Sequence, residues 1–272
     1  MKQKKETHAQ SHCERSVAIA RLSNRRAFTL AEGATHVGTC DNVRKSAFTL
    51  AEVLITLAII GVVAAMTIPT LISNYQKKVV ENKLSYFYSS MNQAIRLSEI
   101  ENGDKKYWFD NSAGNLTDED GNSIEYTSKQ SIWFDTYLAP YLKIIKKDIK
   151  PDSEVHYYFP NGTVLRIQRH ILSDWLLYVK TPEKCPNDTY LGTCYFAFSF
   201  CPNCTAFSWR FAYDKGLEPF SYLWEQRDDI NEAAEEKCKA GGKTSSVNNK
   251  SYCTMWIKNN NWKIPEDYPL KF

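Results

Sequence analysis

Residues 44–75 read Arg-Lys-Ser-Ala-Phe-Thr-Leu-Ala-Glu-Val-Leu-Ile-Thr-Leu-Ala-Ile-Ile-Gly-Val-Val-Ala-Ala-Met-Thr-Ile-Pro-Thr-Leu-Ile-Ser-Asn-Tyr, and the rest of the chain takes its arrangement from this stretch. From Val53 to Ile72 no residue carries a charge. That is about the twenty residues a helix needs to cross a hydrocarbon core of roughly 30 Å. Arg44 and Lys45 stand just before the run, which places its N-terminal side in the cytoplasm by the positive-inside rule. Glu52 is the one charge at the mouth of the apolar segment, and a carboxylate in lipid is expensive enough to call for a function and a partner. A secretory signal peptide has a shorter apolar core and a small-residue cleavage site. Here the run is longer, and helical rhythm continues from Asn74 to Glu101.

The coincidence of these features resembles the prepilin family, the type IV pilins and the pseudopilins of type II secretion and DNA-uptake machines. Phe48-Thr-Leu-Ala-Glu52 matches the start of a mature pilin, with Glu52 as its fifth residue and Gly61 and Pro69 as its fourteenth and twenty-second. The resemblance implies cleavage between Ala47 and Phe48 by a prepilin peptidase and N-methylation of Phe48. Ala47 departs from the Gly that the family prefers there. It further implies that Glu52 pairs with the amine of a neighbouring subunit during assembly, and that Gly61 and Pro69 loosen the helix. The implied partners are the peptidase, other pilin or pseudopilin subunits, an inner-membrane assembly platform and the membrane itself. The implied location is the inner membrane, as a single-pass protein with its head exported, and then a filament. The fold implied is α+β, a long N-terminal transmembrane helix packed on a C-terminal antiparallel sheet.

The chain has 272 residues, with 34 Lys and Arg against 31 Asp and Glu. Residues 1–47 hold nine of those basic residues and four of the acidic ones, so the chain from Phe48 onward has 25 basic and 27 acidic residues. The basic excess therefore lies in the leader, and composition gives no argument for nucleic-acid binding. The expected organisation is a leader at 1–47, an N-terminal helix at 48–101 with its membrane span at about 53–72, and an exported head at 102–272. The leader repeats the key motif, Arg26-Ala-Phe-Thr-Leu-Ala-Glu32 preceding Ser46-Ala-Phe-Thr-Leu-Ala-Glu52 by twenty residues. Gly-Ala-Thr-His-Val-Gly-Thr-Cys follows the first copy and cannot span a membrane, so that copy reads as a decoy. His8, His12 and Cys13 in the leader lack a second cluster of ligands and read as part of a tail.

Beyond the span, Leu71, Tyr75, Val79, Val80, Leu84, Phe87, Met91 and Ile95 recur mostly at three- and four-residue steps, which predicts an amphipathic continuation packed on the head. Asn102-Gly103 supplies the stop. The acidic run Asp118-Glu-Asp-Gly-Asn122 lacks EF-hand spacing and its distal Glu, and reads as a solvated turn. Ser131–Lys147 suits a short helix. Strands are expected at Val155–Phe159, Thr163–Ile167, Trp175–Val179, Cys194–Phe200 and Phe207–Tyr213. Pro160-Asn-Gly162 joins the first two as a hairpin, and Asp214-Lys-Gly216 reads as a turn. The aromatic C-terminal stretch 261–269 is expected to dock on the sheet's edge strand.

Six of the eight cysteines fall at 185–253, beyond the membrane span, where clustered thiols read as disulfides. Cys201-Pro-Asn-Cys204 could alternatively be a thiol oxidoreductase site, or half of a zinc site completed by Cys185 and Cys194. Six cysteines allow 15 connectivities, and the residues leave that choice open. The pilin resemblance implies one late bridge, Cys238–Cys253. No nucleophile elbow, zincin helix or phosphate-binding loop is present, and His156 and His170 have no motif that would make them bases. The reading is therefore a structural filament subunit that is no enzyme and takes no cofactor or metal. A pilin-anchored binding protein or adhesin and an anchored CxxC oxidoreductase are the competing readings.

Overall fold

A computed structural model describes residues 48–108, 113–167, 175–185, 191–221, 230–244 and 247–272. The leader motif at 26–32, His8, His12, Cys13, Ala47 and His170 lie outside the described residues. The chain divides into two units, Met1–Glu52 and Val53–Phe272.

Helix α1 runs from Leu50 to Asn102, 53 residues, or about 80 Å at 1.5 Å per residue. Gly103, at φ 74°, follows its last residue, the left-handed position at which helices commonly stop. Its outer half buries Val80, Leu84, Phe87, Met91, Ala94, Ile95 and Ser98 as one stripe. The stripe starts later than the periodicity predicts, because Leu71 and Tyr75 are exposed and Val79 only half-buried. The C-terminal segment meets the helix at this level. Ile264 N donates to Glu81 Oε1 at 2.9 Å.

Two short strands, β1 (Leu116–Thr117) and β2 (Ser123–Ile124), flank the acidic turn. In that turn Asp118 Oδ1 accepts from Asn122 N at 2.7 Å and Asp120 N at 3.1 Å. Helix α2 follows at Lys129–Tyr137, capped by Ser128. The helix expected over Ser131–Lys147 is thus cut short. Pro140 cannot continue it and sits in a 3-10 turn at Ala139–Tyr141. Lys146–Ile149 instead forms strand β3, pairing antiparallel with β4.

The main sheet has the order β3-β4-β5-β6-β7-β8, with every neighbour antiparallel. Its members after β3 are β4 (Val155–Tyr158), β5 (Val164–Ile167), β6 (Trp175–Tyr178), β7 (Tyr195–Ser199) and β8 (Glu218–Pro219). At the β4–β5 hairpin Phe159 N donates to Thr163 O at 2.9 Å, and Gly162 takes the positive φ of 75° that closes the turn. Phe207–Tyr213, expected as a strand, is a 3-10 helix over Phe207–Ala212. Its backbone curls back, Asp214 N donating to Pro202 O at 2.8 Å, and Phe211 and Ala212 pack with Tyr252 and Met255. The last pairing falls to β8, where Pro219 is tolerated because the strand is an edge.

Side chains alternate across this sheet with the period of two that strands impose. Val155, Ile167, Trp175 and Phe198 lie in register, as do Tyr157, Leu165, Leu177 and Phe196. Both rows belong to the core shared with α1 and α2. Phe87 of α1 meets Phe198 at 5.3 Å between ring centroids, and Phe134 of α2 stacks on Tyr157 at 4.2 Å. The opposite face carries Val164, Tyr178, Tyr195 and Ala197, covered by the bridged Cys185 and Cys194.

On that face Glu154 accepts from Arg166 and meets His156 Nε2 at 2.6 Å, while Arg166 Nη1 donates to Tyr178 at 3.0 Å. Burial alone would raise the Glu154 carboxyl, but the His156 hydrogen bond and the Arg166 charge outweigh it and hold its pKa below the ordinary 4.5. A depressed carboxyl contributes stability that is complete above its unfolded pKa and is lost as pH falls through the folded one. Denaturant midpoints should therefore drop as pH is lowered below about 4.5, and Glu154→Gln should flatten that part of the profile. An unchanged acid limb in the variant would remove this trio from the account.

Three helices follow the sheet: α3 (Ile230–Thr244), α4 (Val247–Lys250) and α5 (Cys253–Asn259). The C-terminal stretch docks on helices rather than on a sheet edge. Trp262 lies 5.0 Å from Tyr88 of α1, and Tyr268 stacks on Trp256 of α5. Two aromatic faces offer Trp262 and Tyr268 more apolar area than a two-residue edge strand can.

Candidate assembly interface

The N-terminus of α1 is built around Thr49 and Glu52. Thr49 Oγ1 accepts from Glu52 N at 3.2 Å, and Glu52 Oε2 accepts from Thr49 N at 2.8 Å and from Thr49 Oγ1 at 2.9 Å. This reciprocal arrangement is a capping box, which satisfies donors that the first turn of a helix leaves free. The Thr-x-x-Glu spacing is legible in the sequence, although reading Glu52 only as an assembly residue passes it by. Phe48 is exposed immediately before the cap.

From Val53 to Ile72 the helix presents apolar side chains on every side, and α1 is long and apolar enough to cross a membrane. The segment's polar side chains are largely turned inward on their own backbone. Thr56 Oγ1 donates to Val53 O at 2.9 Å and Thr67 Oγ1 to Val63 O at 3.0 Å, the bonding that lets hydroxyls enter lipid. Gly61 has open space around it, and Pro69 lies within the helix, removing one ladder donor.

Outside that segment α1 is fastened to the head by polar contacts flanking the apolar stripe. Lys83 Nζ donates to Val179 O at 2.8 Å, and burial pushes its pKa down. Asn92 Nδ2 donates to Leu217 O at 3.1 Å, while Gly216 comes so close to Asn92 that a Cβ there would meet its Oδ1 at 1.9 Å. Lys258 of α5 binds Glu218 of β8 and lies 4.8 Å over the Tyr88 ring. Burial works against the Lys258 charge, but the Glu218 hydrogen bond prevails and raises its pKa. One flank of α1 remains open, a groove of about 500 Å³ lined by Tyr86, Gln93 and Leu97 on the helix and by Tyr141, Leu142 and Pro160 opposite.

Among the described residues the cysteines pair as Cys185–Cys194, Cys201–Cys204 and Cys238–Cys253. Pairing two by two replaces the zinc alternative built from Cys185, Cys194, Cys201 and Cys204. Cys238–Cys253 ties α3 to α5, and its loop corresponds to about 3 kcal/mol in the chain-entropy account, against about 2 kcal/mol for the short Cys201–Cys204 loop. Among the described residues no group of three His, Cys, Asp or Glu side chains is arranged to hold a metal.

A capped helix with an unburied apolar inner half and an outer half clamped to an antiparallel sheet defines a pilin-like α+β protein. Residues 42–68 match the prokaryotic N-terminal methylation motif, the signature of type IV pilins and pseudopilins. Residues 70–272 match the family of unknown function DUF6613, and the chain belongs to that family. No curated protein and no solved structure matches the chain.

Proposed function

We propose that this protein is a structural subunit of a bacterial type IV filament system, either a pilin or a pseudopilin. It waits in the inner membrane as a single-pass protein with its head exported. A prepilin peptidase cuts between Ala47 and Phe48 and methylates the new amine, and an inner-membrane platform moves the subunit into a filament of like or related subunits. Gly61 and Pro69 give the inner helix the freedom to repack there. One observation carries the reading: the methylation motif at 42–68 runs into an apolar helix segment whose side chains no described head residue covers. Such a helix is at rest in lipid and can exchange lipid contacts for packing against copies of itself.

The deciding experiment is N-terminal peptide mass spectrometry of the protein from membranes and from sheared surface material. The expected species begins at N-methylated Phe48 and occurs in both fractions. A chain beginning at Phe28 would transfer the cleavage to the upstream motif and remove Glu52 from its role. An unprocessed chain confined to membranes would favour an anchored binding protein.

A further inference from the structure

Three observations set the Cys201–Cys204 bridge apart from the other two. It spans a turn already closed by Cys204 N donating to Cys201 O at 3.2 Å, so as a cross-link it restrains the unfolded chain least. It is also the bridge that solvent reaches: Cys204 is half-buried, whereas Cys185, Cys194, Cys201, Cys238 and Cys253 are all buried. Finally, it sits at the root of the excursion from Cys201 to Leu217 between β7 and β8. Pro202 O accepts from Asp214 N, Phe211 and Ala212 pack around Cys201, and Leu217 O accepts from Asn92 of α1.

We propose that Cys201–Cys204 is a thiol–disulfide exchange site for a dithiol partner rather than a permanent staple. A thiolate of the partner attacks Cys204 Sγ, the reachable sulfur. The S–S bond breaks and Cys201 leaves as a thiolate that takes up a proton. The partner's second thiol then attacks the mixed disulfide, freeing the Cys204 thiol. The protein disulfide gains two electrons and two protons, and the dithiol is oxidised to a disulfide. Cys201 departs among Phe211, Ala212, Ala234, Tyr252 and Met255, an apolar cluster that stabilises a thiolate poorly. A monothiol therefore exchanges back, whereas a dithiol completes the reaction. Opening the bridge frees the root of the excursion while β7 keeps its pairing with β6.

This inference stands apart from the filament reading, because its test involves neither processing nor assembly. The full-length oxidised protein in detergent is treated with dithiothreitol for graded times, quenched with acid, alkylated and mapped by peptide mass spectrometry. Cys201 and Cys204 should become labelled at least about tenfold sooner than the four cysteines of the other two bridges, as reachability governs exchange. Glutathione used alone should leave the bridge closed, with any adduct trapped by the acid quench on Cys204. Simultaneous labelling of all six bridged cysteines, earlier opening of either other bridge, or an adduct on Cys201 would overturn the proposal. Hydrogen exchange supplies the structural readout. The selectively reduced protein and a Cys201→Ala/Cys204→Ala variant should both exchange faster over 205–216 than the oxidised protein, with β6 and β7 unchanged, and protection there equal to the oxidised protein's would refute the release.

Discussion

Glu52→Ala and Glu52→Gln are both expected to reach the membrane at normal levels and to be missing from sheared filaments. The span from Val53 to Ile72 inserts by its apolar length, to which Glu52 contributes nothing. The two variants differ at the cap. Gln can accept from Thr49 N as Glu52 does, so Glu52→Gln keeps the capping box while losing the charge. Ala loses both. If the carboxylate's task is to meet the amine of a neighbouring Phe48, neutralisation suffices to stop assembly, since a buried amine left unpaired costs what the pair would have offset. Immunoblots of membrane and sheared fractions decide it. Wild-type filament yield from Glu52→Gln would reduce Glu52 to a helix cap and abolish the pairing mechanism, and loss of either variant from membranes would place its role in insertion.

The sequence exposed those parts of the fold whose signal is local and repetitive. The apolar run at 53–72, the stripe expected from Leu71 to Ile95 and the Pro160–Gly162 hairpin each announce themselves within a few residues; the structure has the run and the hairpin, and buries the stripe from Val80 onward. The errors arise where distant contacts decide. The aromatic alternation of Phe207–Tyr213 fits a strand as well as a 3-10 turn, and what selects the turn is packing against Tyr252 and Met255, some forty residues on. Ser131–Lys147 has a helical apolar pattern on both sides of Pro140, and the break at the proline overrides the pattern. Helix α3 carries a local signal too. Ala233, Ala234 and Cys238 repeat at helical steps on a buried side, and Glu235 meets Lys239 one turn on. Gly241 and Gly242, weak helix formers, blur that rhythm toward the helix's end.

Phe87→Ala should be the most damaging substitution in the outer half of α1, while its neighbour Tyr86→Ala should pass almost unnoticed. The two residues stand side by side and differ in what covers them. Phe87 is 4% exposed and sits edge-on to Phe159 and Phe198, where α1 meets the sheet; Tyr86 is 62% exposed on the groove flank. Removing a buried ring forfeits its transfer energy and leaves a cavity that a closely packed aromatic core cannot fill, a loss of about 3–5 kcal/mol. Truncating an exposed ring costs less than about 0.5 kcal/mol. For a protein of this size the Phe87 loss corresponds to a melting point lower by about 10 °C, readable from tryptophan fluorescence in detergent. Trp133 and Trp175 report directly, since both lie in the same core as Phe87. The contrast also separates folding from assembly. Phe87→Ala should reduce the amount of head-folded protein in every fraction, whereas Tyr86→Ala should leave that amount unchanged and bear only on the open groove. Equal stability of the two variants would mean that α1 is not fastened to the sheet through this stripe, and the polar contacts of Lys83 and Asn92 would then have to hold the helix alone.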